Sequence, residues 1–203
     1  FSFELFTMGK SFLIDPGSYV YSADAEQRMM FRSTKMHNTV TVDGESQNNL
    51  LKENLWGFSR DAIPQILKWS SNSFEDQVIA AHNGYARLKD PVIHQRTITF
   101  DKINEKWHIL DNFSGSGEHI FEWYFHFDLY IDFIIDGNYV KTINKDGRNI
   151  VFKFEQKNGL TLREDKSFVS KSYGLKEEGK VLVASIKEVV PLELNITILK
   201  TQQ

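Results

Sequence analysis

The chain has 203 residues, and its 41 % hydrophobic and 13 % aromatic content excludes a disordered segment because it supplies enough apolar surface for a core. The 24 Lys and Arg against 27 Asp and Glu give a formal net charge of −3, which disfavours non-specific binding to nucleic acid. No apolar run approaches the roughly 20 residues of a membrane-spanning helix. Without cysteine, disulfides, thiolate metal sites and cysteine nucleophiles are excluded.

The segment from Phe1 to Phe6 already alternates apolar and polar residues, as the interior of a strand does. The chain begins with Phe rather than Met, and no signal-peptide pattern precedes this segment. We therefore expect the chain to be a piece of a longer protein.

Helix is predicted at only two places. Asp24–Phe31 is long enough for two turns, with Ser22 as a candidate cap, and Glu45–Asn54 is a second candidate. Neither segment sustains an amphipathic stripe.

Strands and tight turns account for most of the chain. Most of the 12 glycines follow Asp, Asn, Ser or Pro, which favours the turns of β-hairpins. The segments between turns that suit a pleated sheet are Val40–Val42, Val92–Phe100, Trp107–Leu110, His119–Phe127, Ile150–Phe154, Val181–Ile186 and Leu192–Leu199. We predict an all-β fold, a two-layered antiparallel β-sandwich with many hairpins and one or two short helices, as a single domain over residues 1–203.

The strand predicted over His119–Phe127 has aromatic residues at its odd positions and mostly polar residues at its even positions. Because alternate side chains point to opposite faces of a sheet, one face is expected to pack and the other, with Tyr124 and His126, to be free.

Polar and ionisable residues cluster between Leu13 and Gly44. Alternation over residues 37–42 places Asn38 on the face of Val40 and Val42, and His37 on the opposite face. The nearby Arg32 would favour a neutral imidazole, which suits a base or a hydrogen-bond donor. A histidine at a strand entry is also often a surface or structural residue, and this alternative stays open.

Two motif blocks carry a resemblance to a known family. They are Ile14-Asp15-Pro16-Gly17-x-Tyr19-x-Tyr21 and Phe31-Arg32-Ser33-Thr34-x-x-His37-Asn38-Thr39-Val40-x-Val42-Asp43-Gly44-x-x-Gln47. The supporting segments are Ala81-His82-x-Gly84-Tyr85, Val92-x-His94-x-Arg96, Trp107-x-Ile109-Leu110-Asp111 and Phe125-His126-Phe127. Together they resemble the C-terminal β domain of the heparinase II/III-like polysaccharide lyases, by motif over residues 1–130 and by general β character beyond.

The resemblance implies a bacterial enzyme, periplasmic or secreted, in which an N-terminal α/α toroid precedes this domain and an acidic polysaccharide lies between the two. The family cleaves uronic-acid-containing glycans, of the heparan sulfate, heparosan or alginate type, by β-elimination. This reaction neutralises the uronate carboxylate, removes the C5 proton and protonates the leaving oxygen at C4. The resemblance implies His37 as the catalytic histidine, as carboxylate neutraliser or base. The isolated chain is expected to be inactive because the other groups lie on the toroid.

Five residues are the expected contacts to substrate: Arg32, Asn38, Tyr19, Tyr21 and Trp56. Arg32 could bind a carboxylate through two hydrogen bonds, or form a salt bridge on the sheet. Tyr19 and Tyr21, expected on one strand face, and Trp56, expected in a loop, could line the sugar path or pack in the core.

The resemblance also raises a metal site, because some relatives hold zinc with two histidines and one aspartate. His82 and His94 are the candidate ligands for zinc or calcium, and Asp43, Asp61 and Asp76 are candidates for the carboxylate. The alternative is that the two histidines are polar residues on sheet strands.

A second function is compatible with the sequence, namely a non-catalytic module that binds glycan or braces another domain. The near-neutral net charge favours this alternative, since a groove for heavily sulfated heparin is more often strongly basic.

Overall fold

The computed structural model describes residues 1–51, 54, 56–57 and 59–201. The elements in chain order are β1 (Leu5–Thr7), β2 (Lys10–Leu13), α1 (Ala25–Arg32), β3 (Val40–Val42), β4 (Gln65–Ser71), β5 (Glu75–His82), β6 (Val92–Asp101), β7 (Lys106–Gly115), β8 (Glu118–His126), β9 (Phe133–Asp136), β10 (Tyr139–Thr142), β11 (Asn149–Phe154), β12 (Thr161–Ser172), β13 (Leu175–Val189) and β14 (Leu192–Thr201). Two 3-10 turns cover Thr34–Met36 and Gly84–Arg87. The antiparallel sheets and hairpins confirm the predicted all-β sandwich class.

The described residues form two compact units. The first unit comprises Phe1–Asp61, Ile120–Ile131 and Thr161–Ile186. It holds the β1–β2 hairpin, α1 and a four-stranded sheet in the order β12-β13-β8-β3. β3 pairs with β8 in antiparallel register, with Val40 opposite Trp123 and Val42 opposite Phe121.

The core of the first unit includes one face of β8. Phe121, Trp123, Phe125 and Phe127 are each at most 1 % exposed, as the alternation predicts. His126, from the other face, is also buried, which corrects the expectation that this face is free. The reason is that Ser167 of β12 and the backbone of Lys35 cover the imidazole.

The second unit comprises Ala62–His119, Asp132–Leu160 and Lys187–Gln203. It is built on an eight-stranded sheet in the order β4-β5-β6-β7-β14-β11-β10-β9. Its register places His82 of β5 opposite His94 of β6, and Arg96 of β6 opposite Asp111 of β7. Polar side chains from three neighbouring strands therefore meet inside this unit.

The helix predictions are right at one place and wrong at the other. α1 forms as expected, but its cap is Asp24 rather than Ser22, because the Asp24 carboxylate accepts the Gln27 N–H at 3.0 Å. The described residues of Glu45–Asn54 form no helix. Within the described part of the chain, no helix has the length and apolar character that a membrane crossing requires.

Candidate functional site

His37 lies between the 3-10 turn Thr34–Met36 and β3, not inside a strand as the alternation suggests. Its side chain is 30 % exposed, and its Nδ1 lies 2.7 Å from Oδ2 of Asp15. The other carboxylate oxygen of Asp15 accepts the N–H of Gly17 at 2.9 Å. The two motif blocks that carry the family resemblance thus meet at one imidazole–carboxylate pair.

The Asp15 carboxylate determines which nitrogen of His37 carries the proton. Burial alone would raise the pKa of Asp15, but the hydrogen bonds from His37 and from the Gly17 N–H outweigh it, and the pKa lies below its usual value. An ionised Asp15 accepts a hydrogen bond from the Nδ1–H of His37. Nε2 has no hydrogen-bond partner among the described residues and is the nitrogen left for a substrate.

Asn38 is buried and fully used by the protein. Its Nδ2 donates to the carbonyls of Phe3 at 2.8 Å and Ile14 at 3.0 Å, and its Oδ1 accepts the N–H of His126 at 2.6 Å. This corrects the expectation that Asn38 contacts substrate, because neither end of the amide is free. Asn38, directly after His37, instead joins this segment to β8 and to the segment that carries Asp15.

His126 supports the turn that precedes His37. Its Nδ1 lies 2.9 Å from the Ser167 hydroxyl, and its Nε2 lies 2.9 Å from the Lys35 carbonyl. Burial lowers the pKa of His126 to about 4 despite the hydrogen bond to Lys35, so the ring is neutral. Sequence reasoning missed this supporting role because both partners are distant in sequence.

Arg32 holds the loop that carries Trp56. It is 7 % exposed, and its guanidinium donates to the carbonyls of Gly57 and Asn54. Asn54 Oδ1 in turn accepts the N–H groups of Trp56 at 3.1 Å and Gly57 at 2.7 Å. This corrects the expectation that Arg32 binds a substrate carboxylate through two hydrogen bonds. Its guanidinium is buried and donates to backbone carbonyls instead.

Tyr19 and Tyr21 point to different surroundings, which corrects their expected common strand face. The cause is local, since this segment is not a strand and Tyr19 has a φ of 57°. Tyr19 packs against Phe31 with ring centroids 5.5 Å apart, whereas Tyr21 packs against Trp56 at the same centroid distance. Tyr21 and Trp56 are both exposed to solvent.

The second unit contains a buried chain of hydrogen bonds. The Gly84 N–H lies 3.1 Å from His82 Nδ1, His82 Nε2 lies 3.2 Å from His94 Nδ1, and His94 Nε2 lies 2.7 Å from Asp111 Oδ1. Arg96 binds both oxygens of Asp111, at 2.7 and 2.8 Å. One tautomer satisfies every ring nitrogen: His82 carries its proton on Nε2, and His94 carries its own on Nε2.

Arg96 determines the charge of the Asp111 carboxylate in this hydrogen-bonded cluster. Burial would raise the pKa of Asp111, but Arg96 and His94 outweigh it and hold the pKa well below its usual value. Burial lowers the pKa of His82 to about 3, and it lowers the pKa of His94 as well. The cluster is thus an Arg96–Asp111 ion pair extended by two neutral imidazoles.

The fit of this cluster to a metal ion is poor. Asp111, which sequence reasoning did not select, is the carboxylate at the histidine pair, and it lies on the far side of the His94 ring. The three aspartates proposed as ligands bind elsewhere, Asp43 to the Ile120 N–H, Asp61 to the Asn49 N–H and Asp76 to Lys102. No group of three or more His, Asp or Glu side chains in the described residues could hold a metal. The described side chains around His82 and His94 therefore do not fit zinc or calcium.

The same fold occurs in the solved structures of larger proteins. The structure resembles heparan sulfate lyase HepC from Pedobacter heparinus with a TM-score of 0.85 and 20 % identity, over 100 % of this chain and 30 % of that one. It resembles a crystal structure of heparinase III with a TM-score of 0.79 and 18 % identity, over 99 % of this chain and 29 % of that one. The fold is that of a β domain found within these larger proteins.

The family is shown by sequence. The model of the family described as Heparinase II/III-like, C-terminal, matches residues 1–197, and the chain belongs to this family. A heparin-sulfate lyase of Pedobacter heparinus is 28 % identical over 178 residues, which cover 85 % of this chain and 24 % of that protein. A heparin-sulfate lyase of Bacteroides stercoris is 28 % identical over 118 residues, 57 % of this chain and 15 % of that protein. The chain thus spans about a quarter or less of the relatives' length.

Proposed function

We propose that this chain is the C-terminal β domain of a polysaccharide lyase that cleaves uronic-acid-containing glycans of the heparan sulfate type by β-elimination, and that His37 lies at the reaction centre. The observation that carries the proposal is the pair of His37 and Asp15, at 2.7 Å, within the two motif blocks of the family. The names of the relatives, heparin-sulfate lyases, support the substrate class. An N-terminal toroid would supply the remaining groups, so the isolated chain is expected to be inactive.

The chemistry assigned to His37 uses the free Nε2. As a base, Nε2 takes the C5 proton, and the positive charge that forms on the ring lies beside the Asp15 carboxylate. As an electrophile, a protonated Nε2 donates to the uronate carboxylate and stabilises the developing enolate. In both roles Asp15 stabilises the cationic ring, and charge-assisted hydrogen bonds contribute about 1.5–3 kcal/mol.

The substrate contacts proposed on this chain are Tyr21 and Trp56, whose rings are exposed. Arg32 and Asn38 act behind them by holding the Trp56 loop and the His37 segment. Tyr19 fits a packing role, because it lies between Phe31 and the ammonium of Lys176. A periplasmic or secreted location and an acidic polysaccharide as partner belong to the same proposal.

The test is the absorbance of the 4,5-unsaturated uronate end during incubation of the full-length protein with heparosan, heparan sulfate, chondroitin, hyaluronan and alginate. A rise on one glycan is expected for the wild type and is expected to be lost in His37→Ala. The matched control is His108→Ala, a histidine of the second unit bonded to Thr197, which should keep the rate. Undiminished turnover by His37→Ala would overturn the assignment.

The second candidate function, a glycan-binding module without catalysis, is favoured by the exposed aromatic side chains near the Trp56 loop. It predicts glycan binding by the full-length protein with no absorbance rise on any member of the panel.

A further inference from the structure

Three exposed aromatic rings from separate parts of the first unit lie together. Tyr21, Trp56 and Tyr173, here called the aromatic platform, are 46 %, 63 % and 61 % exposed. The ring centroid of Tyr21 lies 5.5 Å from that of Trp56 and 5.4 Å from that of Tyr173. Contiguous exposed aromatic surface of this kind is typical of a binding site rather than of an inert surface.

The guanidinium of Arg28 lies on this platform. The guanidinium carbon of Arg28, in α1, lies 5.4 Å from the ring centroid of Tyr21 and 5.6 Å from that of Trp56. Among the described residues, Arg28 has no carboxylate partner, and its Nε is buried without a hydrogen bond. Arg32, one helical turn later, adds a second positive charge, and burial followed by repulsion from Arg28 lowers the pKa of Arg32. The local charge therefore favours an anionic ligand.

The platform is fixed before any ligand arrives. Asn54 and Arg32 hold the backbone on both sides of Trp56. A Cβ at Gly57 would meet the side-chain amide of Asn54, which would then have to move away from the N–H groups of Trp56 and Gly57 that it accepts. A rigid ring loses little freedom on binding, which favours affinity.

We propose that the aromatic platform and Arg28 form a subsite for one anionic pyranose unit of a glycan. The exposed face of Trp56 stacks on the sugar ring, and the N–H groups of Arg28 donate to its carboxylate or sulfate. Arg28 and Tyr173 are added here to the substrate contacts Tyr21 and Trp56 proposed above. Binding at the subsite does not require His37. The choice of glycan rests on the proposed function, whereas binding to the subsite does not depend on catalysis.

The test is calorimetric titration of the full-length protein, carrying His37→Ala so that glycan is not consumed, with hexasaccharides of heparosan, heparin and neutral cellulose. Arg28→Met and Trp56→Ala are each expected to raise the Kd for the anionic hexasaccharides about tenfold. Weakening on both anionic glycans assigns the carboxylate as the ligand of Arg28, and weakening on heparin alone assigns a sulfate. The matched control is Arg148→Met, which removes an exposed arginine of the second unit that is paired with Asp146 and should leave Kd unchanged.

Two milder variants separate binding from folding. Trp56→Phe keeps an aromatic face and Arg28→Lys keeps a charge, so both should retain more affinity than Trp56→Ala and Arg28→Met. Wild-type Kd in both truncating variants, or equal affinity for the neutral hexasaccharide, would overturn the subsite. Absence of lyase activity would count against the proposed function alone, because the titration does not use turnover.

Discussion

Acid should destabilise each unit through a buried neutral histidine. The pKa is lowered to about 4 for His126 in the first unit and to about 3 for His82 in the second, from an ordinary value of about 6.5. Because each folded-state pKa lies below the unfolded value, the unfolded chain binds more protons below pH 6.5. The stability contributed by the neutral rings is complete above about pH 6.5 and is lost as the pH falls towards about 4 and about 3.

The magnitude follows from these values. At pH 5 an unfolded histidine is almost fully protonated, whereas His126 and His82 in the folded protein are almost fully neutral. Going from pH 7 to pH 5 therefore costs about 2 kcal/mol for each histidine and about 4 kcal/mol for both. If the chain unfolds as one cooperative unit, Tm should fall by roughly 10 °C.

The assay is urea unfolding of the purified chain at pH 7, 6 and 5, followed by tryptophan fluorescence and circular dichroism. His126→Gln and His82→Gln should each remove about 2 kcal/mol of the pH dependence between pH 7 and pH 5, even where they lower stability at pH 7. Ser167→Ala is the matched control, because it removes a partner of His126 but keeps the titrating ring. A pH dependence that is unchanged in both histidine variants would refute the reasoning.

Three further predictions address single carboxylates. Asp15→Asn should lower kcat of the full-length lyase about 10- to 100-fold with little change in KM, because it removes the anion beside His37; equal kcat in steady-state assays would contradict this. Asp111→Asn should cost about 3–5 kcal/mol in urea unfolding by leaving Arg96 buried and unpaired, whereas Asp146→Asn, in an exposed pair, should cost at most about 1 kcal/mol. Asp24→Ala should cost about 1 kcal/mol by uncapping α1, and unchanged unfolding would show that the cap is dispensable.

The sequence predicts well what depends on local periodicity. The alternation in β8 identifies Phe121, Trp123, Phe125 and Phe127 as core because strand geometry alone sends them to one side. The same rule fails for Tyr19 and Tyr21, where a positive φ at Tyr19 breaks the alternation that the rule assumes. Local backbone geometry of this kind has no signal in the residue types.

Contacts between distant segments could not be predicted. Asp111 reaches His94 because the register of β6 and β7 sets it opposite Arg96, and register is not readable from one strand. Arg28 and Tyr173 are joined to Tyr21 by packing of separate segments. The motif resemblance selects His37 as the candidate catalytic residue. Its hydrogen bond with Asp15 is visible only in the structure.

The two histidine–carboxylate pairs show why exposure, rather than the pair itself, distinguishes a candidate catalytic group. In both pairs a carboxylate with lowered pKa accepts a ring N–H and orients the imidazole. His94 is fully buried, and its Nδ1 is hydrogen-bonded to Nε2 of His82. A second proton could reach the His94 ring only by entering the core. His37 is partly exposed and keeps Nε2 for an outside group. The same chemistry therefore holds strands together in the second unit and, in the first, presents a nitrogen that can take or give a proton at the surface.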